Sequence, residues 1–339
     1  MPTLLSRRFL IKAAAAASAA TSFAGRAGAQ ALEPVTVMTP FGFIGDFIDL
    51  MNAYSGGHFK KQGLDAKVLG GRGSAQAIQQ LASGAAQYIR AAGIDTMRAV
   101  GSEQALPLIS ISTLYQAGTF RMISPAEKPI KTAEELKGKT VGVVSVGGAT
   151  EILLDLILRK VGLSHDDVPR QVTGNSPGTL QMARQGRVDC FIASTEVVAA
   201  LERAGEKIES WSTDKYMPMP GQCYVTTRDE VDHHPDRALR FLRAMKASVN
   251  ELMTQPLPPL FERAAKDFEI PGIRNVDHLV GSIEAARGLW LAQGRNNLLR
   301  NVPALWEAGA KALDGAGLAK LPDPHVLYTN AIIDKALAG

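Results

Sequence analysis

Short apolar runs alternate with amphipathic segments along most of the chain. Thr140–Val144 is a short run rich in β-branched residues, which predicts a strand covered on both faces. A loop of small residues follows at Ser145–Thr150, and the segment from about Glu151 to Val161 has the apolar pattern of a buried helix. The order strand, loop, helix recurs in two blocks, around residues 34–118 and 126–220. Each block is therefore predicted to form a parallel sheet with helices on both faces.

Two extended segments, Phe120–Ser124 and Cys223–Thr227, lie between the blocks and after the second one. A helix is predicted to begin at Pro177 and to end at Gly186, since proline favours the first helical position and glycine the last. Beyond Asp229 the pattern is mainly helical, so the whole chain is predicted to be an α/β protein. The remaining predicted strands are Val35–Met38, Asp65–Leu69, Gln87–Arg90, Leu106–Thr113, Arg170–Thr173 and Asp189–Ile192.

The loops after the predicted strands form the candidate ligand site, because ligands of open α/β sheets bind outside the carboxyl ends of the strands. Ser145, Gly147, Gly148 and Thr150 lie where such a loop enters a helix. Glycine lets the backbone approach a ligand closely, and the first N–H groups of a helix favour an anion. The alternative to a ligand site is that this loop is an ordinary strand–helix turn. The glycine-rich phosphate-binding patterns G-x-G-x-x-G and G-x-x-x-x-G-K-[ST] do not fit this loop.

Five side chains in these loops are candidate ligand contacts, each with a plainer alternative. Phe41 and Phe43 could stack on a ligand, with Phe43 the favoured contact, or one of them could fill the core. Arg72 could face an anionic ligand or be a solvated loop residue. Asp95 could bind an amine or cap a helix, and Glu196 could be a polar contact or a helix N-terminal charge.

The N-terminal segment, residues 1–31, has the pattern of an export signal. Arg7 and Arg8 precede a mildly apolar, alanine-rich stretch, which resembles a twin-arginine signal; a general secretory signal is the alternative. Cleavage is expected near Ala29, which places the mature protein in the periplasm. The sequence has 37 basic and 33 acidic residues, and residues 1–29 hold four basic residues and no acidic one. The mature chain is therefore expected to have no net charge, which gives no support to a nucleic-acid partner.

Two cysteines and one histidine cluster are the remaining candidate chemistry. Cys190 and Cys223 both lie in apolar runs, so two buried free thiols are favoured over a disulfide. The cluster at residues 232–236 places His233 and His234 beside acidic residues and a proline, which favours a capped loop over a metal site. No metal or other cofactor is predicted.

Four short motifs, in this order and spacing, resemble those of a known family. They are Gly57–Asp65, Gln80–Gly84, Pro129–Lys139 and Arg184–Cys190. The chain is thereby similar to periplasmic substrate-binding proteins of ABC importers for nitrate, sulfonates, taurine and thiamine-pyrimidine precursors. The resemblance implies a type II periplasmic-binding fold, in which two doubly wound α/β lobes are joined by two hinge strands and close on a ligand.

The resemblance also implies a domain division and a set of ligand-binding loops. Lobe one would comprise residues 33–119 and 225–339, and lobe two residues 120–224. The predicted ligand-binding residues are Phe41, Phe43, Arg72, Ser74, Gly93, Asp95, Ser145, Gly147, Gly148, Thr150, Asn175, Thr195 and Glu196.

The predicted function is delivery of a small organic anion, a carboxylate or sulfonate with an apolar body, to an ABC permease in the inner membrane. The protein is expected to be a monomer and not an enzyme. Three alternatives stay open: a binding protein for a thiamine-pyrimidine precursor, which would use Asp95 or Glu196, a periplasmic enzyme on the same fold, and a sensor module for a membrane receptor.

Overall fold

The structure, a computed structural model, describes residues 31–339 and is built around two five-stranded sheets. The predicted export signal lies almost entirely outside these residues, so the export route and the cleavage near Ala29 stay predictions. Within the described residues, no helix combines the length and apolar character needed to cross a membrane.

The first sheet has the strand order β2-β1-β3-β10-β4. Strands β2, β1 and β3 are parallel, with Glu33 opposite Leu64 and Thr39 opposite Gly70. Strand β10 lies antiparallel between β3 and β4. The bounds are β1 Glu33–Thr39, β2 Leu64–Gly70, β3 Tyr88–Ala92, β4 Leu108–Thr113 and β10 Gln222–Thr227.

The second sheet repeats this plan in the order β7-β6-β8-β5-β9. Strands β7, β6 and β8 are parallel, and Val141 lies opposite both Arg170 and Cys190. Strand β5 lies antiparallel between β8 and β9. The bounds are β5 Phe120–Pro125, β6 Val141–Val143, β7 Arg170–Val172, β8 Cys190–Ser194 and β9 Ile208–Ser212.

Both sheets are mixed, whereas the sequence pattern predicted parallel sheets. The difference arises at β5 and β10, which enter their sheets directly from the other half of the molecule through residues 114–119 and 213–221. A parallel strand needs a crossover that returns the chain to the starting edge of the sheet, usually through a helix. Neither strand is preceded by such a crossover, so each runs opposite to its neighbours.

Helices cover the sheets and form most of the chain after β10. The longest, Pro235–Thr254, contributes Phe241 to the core, where its ring is stacked on Tyr88 with centroids 4.0 Å apart. The helices are α1 Ile48–Ser55, α2 His58–Lys61, α3 Ser74–Ala82, α4 Gly93–Val100, α5 Ala149–Lys160, α6 Thr179–Arg184, α7 Thr195–Arg203, α8 Arg228–His233, α9 Pro235–Thr254, α10 Leu257–Ala264, α11 Val276–Trp290, α12 Pro303–Gly315 and α13 Ala331–Ala338, with a 3₁₀ turn at Gly45–Phe47 before α1.

One apolar cluster spans both halves of the molecule. It includes Ile89 and Val225 of the first sheet and Met122 and Ile192 of the second. Two further clusters lie within single halves, one around Phe241 and one beneath the second sheet. The two halves are therefore packed together beside the crossing strands, and α11 of the first half also contacts α7 of the second.

Two local predictions differ from the structure. Helix α6 begins at Thr179 rather than at Pro177, because residues 176–178 form a turn of their own. Strand β9 was not predicted. It is an edge strand in which only Trp211 is buried, so its sequence lacks a clear alternation of apolar and polar residues.

Cys190 and Cys223 are buried free thiols in different sheets, and burial raises the pKa of Cys223 to about 11.

Candidate functional site

A cavity of about 360 Å³ lies between the two sheets, at the carboxyl ends of β1, β6, β7 and β8. Residues from both halves line it. The loop after β1, strand β3 and the first crossing supply one part of the wall, and the loops after β6, β7 and β8 supply another. The lining residues are Phe41, Ile44, Asp46, Phe47, Arg90, Tyr115, Thr119, Phe120, Val144, Asn175, Ser194, Glu196 and Gln222.

Two carboxyl groups from different halves meet in this cavity. Asp46 lies in the 3₁₀ turn after β1, and Glu196 lies in the first turn of α7, after β8. They are within hydrogen-bonding reach of each other. Burial raises the pKa of Asp46 well above its ordinary value, and the nearby charge of Glu196 raises it further. The pair can thus share a proton, and it presents acceptor oxygens to the cavity.

Arg90 is the cation of the cavity, and it is fully buried. Its Nη1 donates to Oδ2 of Asp49 at 2.5 Å, and Tyr224 donates to the same oxygen. Burial opposes the charged form of Arg90, but Asp49 together with Tyr224 and Tyr115 outweighs it, and the pKa of the guanidinium is raised. The charge of Arg90 is therefore already matched by Asp49, and the Asp46–Glu196 pair makes the surroundings of the cavity net acidic.

Phe41 and Phe43 take roles opposite to those expected. Phe41 lines the cavity and is 52% exposed. Phe43 is not among the lining residues; its ring packs on Phe268 with centroids 4.9 Å apart, at the edge of the core. The two rings diverge because Gly42 between them has φ +59°, which turns the backbone so that alternate residues no longer face one way.

Four predicted contacts lie outside the cavity lining. Arg72 is exposed, and its N–H donates to Gln76 at 2.7 Å. Gly93 has a structural role: its N–H donates to Gly221 at 2.7 Å, and a Cβ there would lie 2.5 Å from the carbonyl oxygen of Pro220. Asp95 is half-buried, which raises its pKa, and the hydroxyl of Ser74 hydrogen-bonds to it. Ser74 and Asp95 thus link α3 to α4, and none of the four residues is among those that line the cavity.

Side chains within the predicted anion-binding corner before α5 already bind two of its backbone N–H groups. The N–H of Gly147 donates to Glu151 at 2.5 Å, and the N–H of Val144 donates to Thr150 at 3.0 Å. A Cβ on Gly148 would lie 2.2 Å from Oγ of Ser145, so a larger residue there would require the Ser145 side chain to move. Only Val144 of this region lines the cavity. Because a carboxylate already occupies the helix N-terminus, a second anion would be repelled.

The other predicted loops of the second sheet do reach the cavity. Asn175 lines it and accepts from the N–H of Ser194 at 2.9 Å, which fixes the loops after β7 and β8 relative to each other. Glu196 also lines it. Thr195 precedes Glu196 in the chain, and its N–H donates to the carbonyl oxygen of Thr119, in the first crossing, at 2.9 Å. Within residues 31–339, no cluster of His, Cys, Asp and Glu could hold a metal ion.

Several cavity residues were missed from the sequence. Arg90 carried the clearest signal, because a charged residue in a short apolar strand is rarely buried without a partner or a function. Asp46 follows β1 closely, but no pattern in the sequence marks it as a ligand contact. Tyr115 lies in the first crossing and Gln222 begins β10, and neither belongs to a predicted ligand loop.

We expect Asp46→Asn to stabilise the protein increasingly as the pH rises. The folded state raises the pKa of Asp46 above its ordinary 3.8, so the wild-type carboxyl contributes stability that is present below pH 3.8 and is lost as the pH rises through the folded-state pKa. Asparagine cannot ionise and escapes this loss. Urea unfolding of both proteins from about pH 4 to 8 measures the difference. Glu202→Gln, at an exposed carboxyl on α7, is the control. Parallel curves for Asp46→Asn and wild type would contradict the assignment.

Comparison with known proteins identifies the family. The profile of the NMT1/THI5-like family matches residues 45–257, and no curated protein sequence matches the chain. The fold is similar to that of the periplasmic aliphatic sulphonate-binding protein SsuA of Escherichia coli, with a TM-score of 0.65, 16% identity and coverage of 85% of this chain and 88% of that one. It is also similar to the periplasmic nitrate-binding protein NrtA of Synechocystis PCC 6803, with a TM-score of 0.63, 12% identity and coverage of 91% and 89%.

These likenesses confirm the predicted periplasmic-binding fold, with two α/β units joined by two crossing strands. The family match covers more than half of the chain and agrees with the resemblance drawn from its motifs. The chain therefore belongs to the NMT1/THI5-like family.

Proposed function

We propose that the protein is a periplasmic solute-binding protein that delivers a small molecule to an ABC importer. The fold of the family and the cavity between its two sheets support this function. A cavity of about 360 Å³ is in the range that holds one small organic ligand. A periplasmic enzyme on the same fold is the alternative, and turnover of the bound molecule would indicate it.

The Asp46–Glu196 pair supports a ligand with a nitrogen head that donates hydrogen bonds, such as an amine, an amidine or an aminopyrimidine. Two carboxyl groups this close cannot both be charged without a cost unless a cation or N–H donors lie between them. The charge of Arg90 opposes this repulsion, but Arg90 is already paired with Asp49, and the pKa of Asp46 stays raised. A protonated or donor-rich nitrogen would satisfy both carboxyl groups at once.

The rest of the wall supports an apolar or aromatic body on this ligand. Phe41, Ile44 and Phe47 come from the first half, and Phe120 and Val144 come from the second. Aromatic rings at such positions favour stacked or edge contacts with a flat ligand. Phe41 is half-exposed and would lose its remaining exposed surface on binding.

A small organic anion, the class expected from the sequence, is the second candidate. It is favoured by the guanidinium of Arg90, whose Nε and Nη2 have no hydrogen-bond partner among the described residues. It has no support from Arg72, which lies outside the cavity, or from the corner before α5, which is capped by Glu151.

Lobe closure is part of the proposal. We place lobe one at residues 33–119 and 225–339 and lobe two at 120–224, because the chain passes between the sheets at β5 and β10. Asp46 then belongs to lobe one and Glu196 to lobe two. A nitrogen head that binds both carboxyl groups would draw the lobes together.

A thermal-shift panel with a matched pair of variants tests the ligand head. The panel holds amines, amidines, aminopyrimidines, carboxylates, sulfonates and nitrate. A nitrogen ligand at about 100 times its dissociation constant should stabilise the wild type by roughly 2.7 kcal/mol, a melting shift of a few degrees. Glu196→Gln should weaken its binding at least about tenfold, since a charge-assisted hydrogen bond contributes roughly 1.5–3 kcal/mol.

Glu202→Gln is the control, because it removes an exposed carboxyl from the same helix and should leave the affinity unchanged. If only anions shift the melting temperature, and Glu196→Gln strengthens their binding, the second candidate is correct and the nitrogen head is wrong.

We expect small-angle scattering to show a smaller radius of gyration when a nitrogen ligand from the panel is present at saturation. The reason is that the ligand would bridge Asp46 of one half and Glu196 of the other. A panel compound that gives no thermal shift, at the same concentration, is the control. An unchanged radius at saturation would rule out closure across these residues.

A further inference from the structure

A set of buried donors lines the same cavity as the acidic pair. Nε and Nη2 of Arg90 and the hydroxyl of Tyr115 have no hydrogen-bond partner among the described residues. Arg90 is fully buried and Tyr115 is 2% exposed, and both line the cavity. Buried polar groups are nearly always hydrogen-bonded, so these donors call for a partner that enters the cavity.

The guanidinium of Arg90 is fixed and cannot turn to another partner. Asp49 holds Nη1 from one side. The rings of Phe47, Tyr115 and Tyr224 surround the guanidinium, with centroids 5.6, 5.4 and 5.2 Å from its central carbon. A guanidinium enclosed by three rings and one carboxylate keeps its free N–H groups in one place. It is therefore preorganised to bind an acceptor oxygen.

The two sets of polar groups differ in where they come from. Arg90 on β3 and Tyr115, just after β4, both belong to the first half of the molecule. The acidic pair joins the two halves through Asp46 and Glu196. The acceptor end of a ligand could thus bind to the first half alone, and its nitrogen head would then engage Glu196 of the second half.

We propose that the ligand is bipolar: besides its nitrogen head, it carries a carbonyl or carboxylate oxygen that accepts hydrogen bonds from Arg90 and Tyr115. This inference rests on the proposed function, because it assigns the second polar end of the same ligand. Amino-substituted heterocycles with a ring carbonyl, and zwitterions with a flat body, have the required chemistry.

Two matched pairs of probes test the acceptor end: 4-aminopyrimidine with cytosine, and benzamidine with 4-amidinobenzoate. Within each pair the second compound adds an acceptor oxygen to a similar nitrogen head. Titration calorimetry on the wild type should show about tenfold tighter binding for the acceptor-bearing member of at least one pair, as one hydrogen bond to a charged donor predicts.

Tyr115→Phe should reduce that ratio several-fold without changing the affinity for the member that lacks the oxygen. The change removes only an unpartnered hydroxyl, and a thermal melt checks that the fold is intact. Tyr54→Phe is the control, because Tyr54 lies in α1 outside the cavity lining.

The outcomes separate this inference from the proposed function. If the nitrogen probes bind but the added oxygen gives no gain in either pair, or if Tyr115→Phe weakens both members equally, the bipolar ligand is wrong and the nitrogen head stands. If no nitrogen probe binds at all and anions do, the proposed head itself is wrong.

Discussion

The buried ion pair between Arg90 and Asp49 sets the chemistry of the whole cavity. Neither side chain has any exposure to solvent, and the pair joins β3 to α1. Tyr224 of β10 adds a hydrogen bond to Asp49, so the returning crossing strand is tied to the same point. A buried ion pair adds little net stability, but loss of one partner would leave an uncompensated charge in the core and cost about 3–5 kcal/mol. The pair is thus better explained as a fixed arrangement of charge than as a source of stability.

That arrangement determines what the cavity can accept. Since Asp49 matches the charge of Arg90, that guanidinium offsets the carboxyl groups of Asp46 and Glu196 only in part. Their closeness raises the pKa of Asp46 beyond what burial alone does. In the function proposed above, a ligand that binds both carboxyl groups also brings the two halves together, because the two groups lie on different halves. The proposal therefore couples binding and closure through a single pair of side chains.

The architecture could be predicted from the sequence because it depends on periodic patterns. The repeated strand, loop and helix segments, such as Thr140–Val144 with the helix that follows, gave the two α/β units, and the strand ends gave the position of the cavity. Glu196 and Asn175 were found in this way. The antiparallel insertion of β5 and β10 was not found, since strand direction depends on how the chain crosses between sheets.

The side chains that define the cavity were harder to predict, because their roles depend on contacts distant in sequence. Arg90 is paired with Asp49, 41 residues away, and no local pattern shows that pairing. The corner before α5 has the composition of an anion site, yet the carboxylate of Glu151, in the first turn of α5, already accepts a hydrogen bond from the N–H of Gly147 there. Phe41 and Phe43 exchange roles through the backbone conformation of one glycine. Composition indicated which loops to consider, and three-dimensional packing decided which atoms face the ligand.

Mass spectrometry of the compound released by denaturation from protein purified from its native cells is the most direct measurement of the central claim. The account predicts a small molecule with a protonatable or N–H-donating nitrogen and an apolar or aromatic body. Recovery of an anion without any nitrogen donor, such as an alkanesulfonate or nitrate, would contradict it.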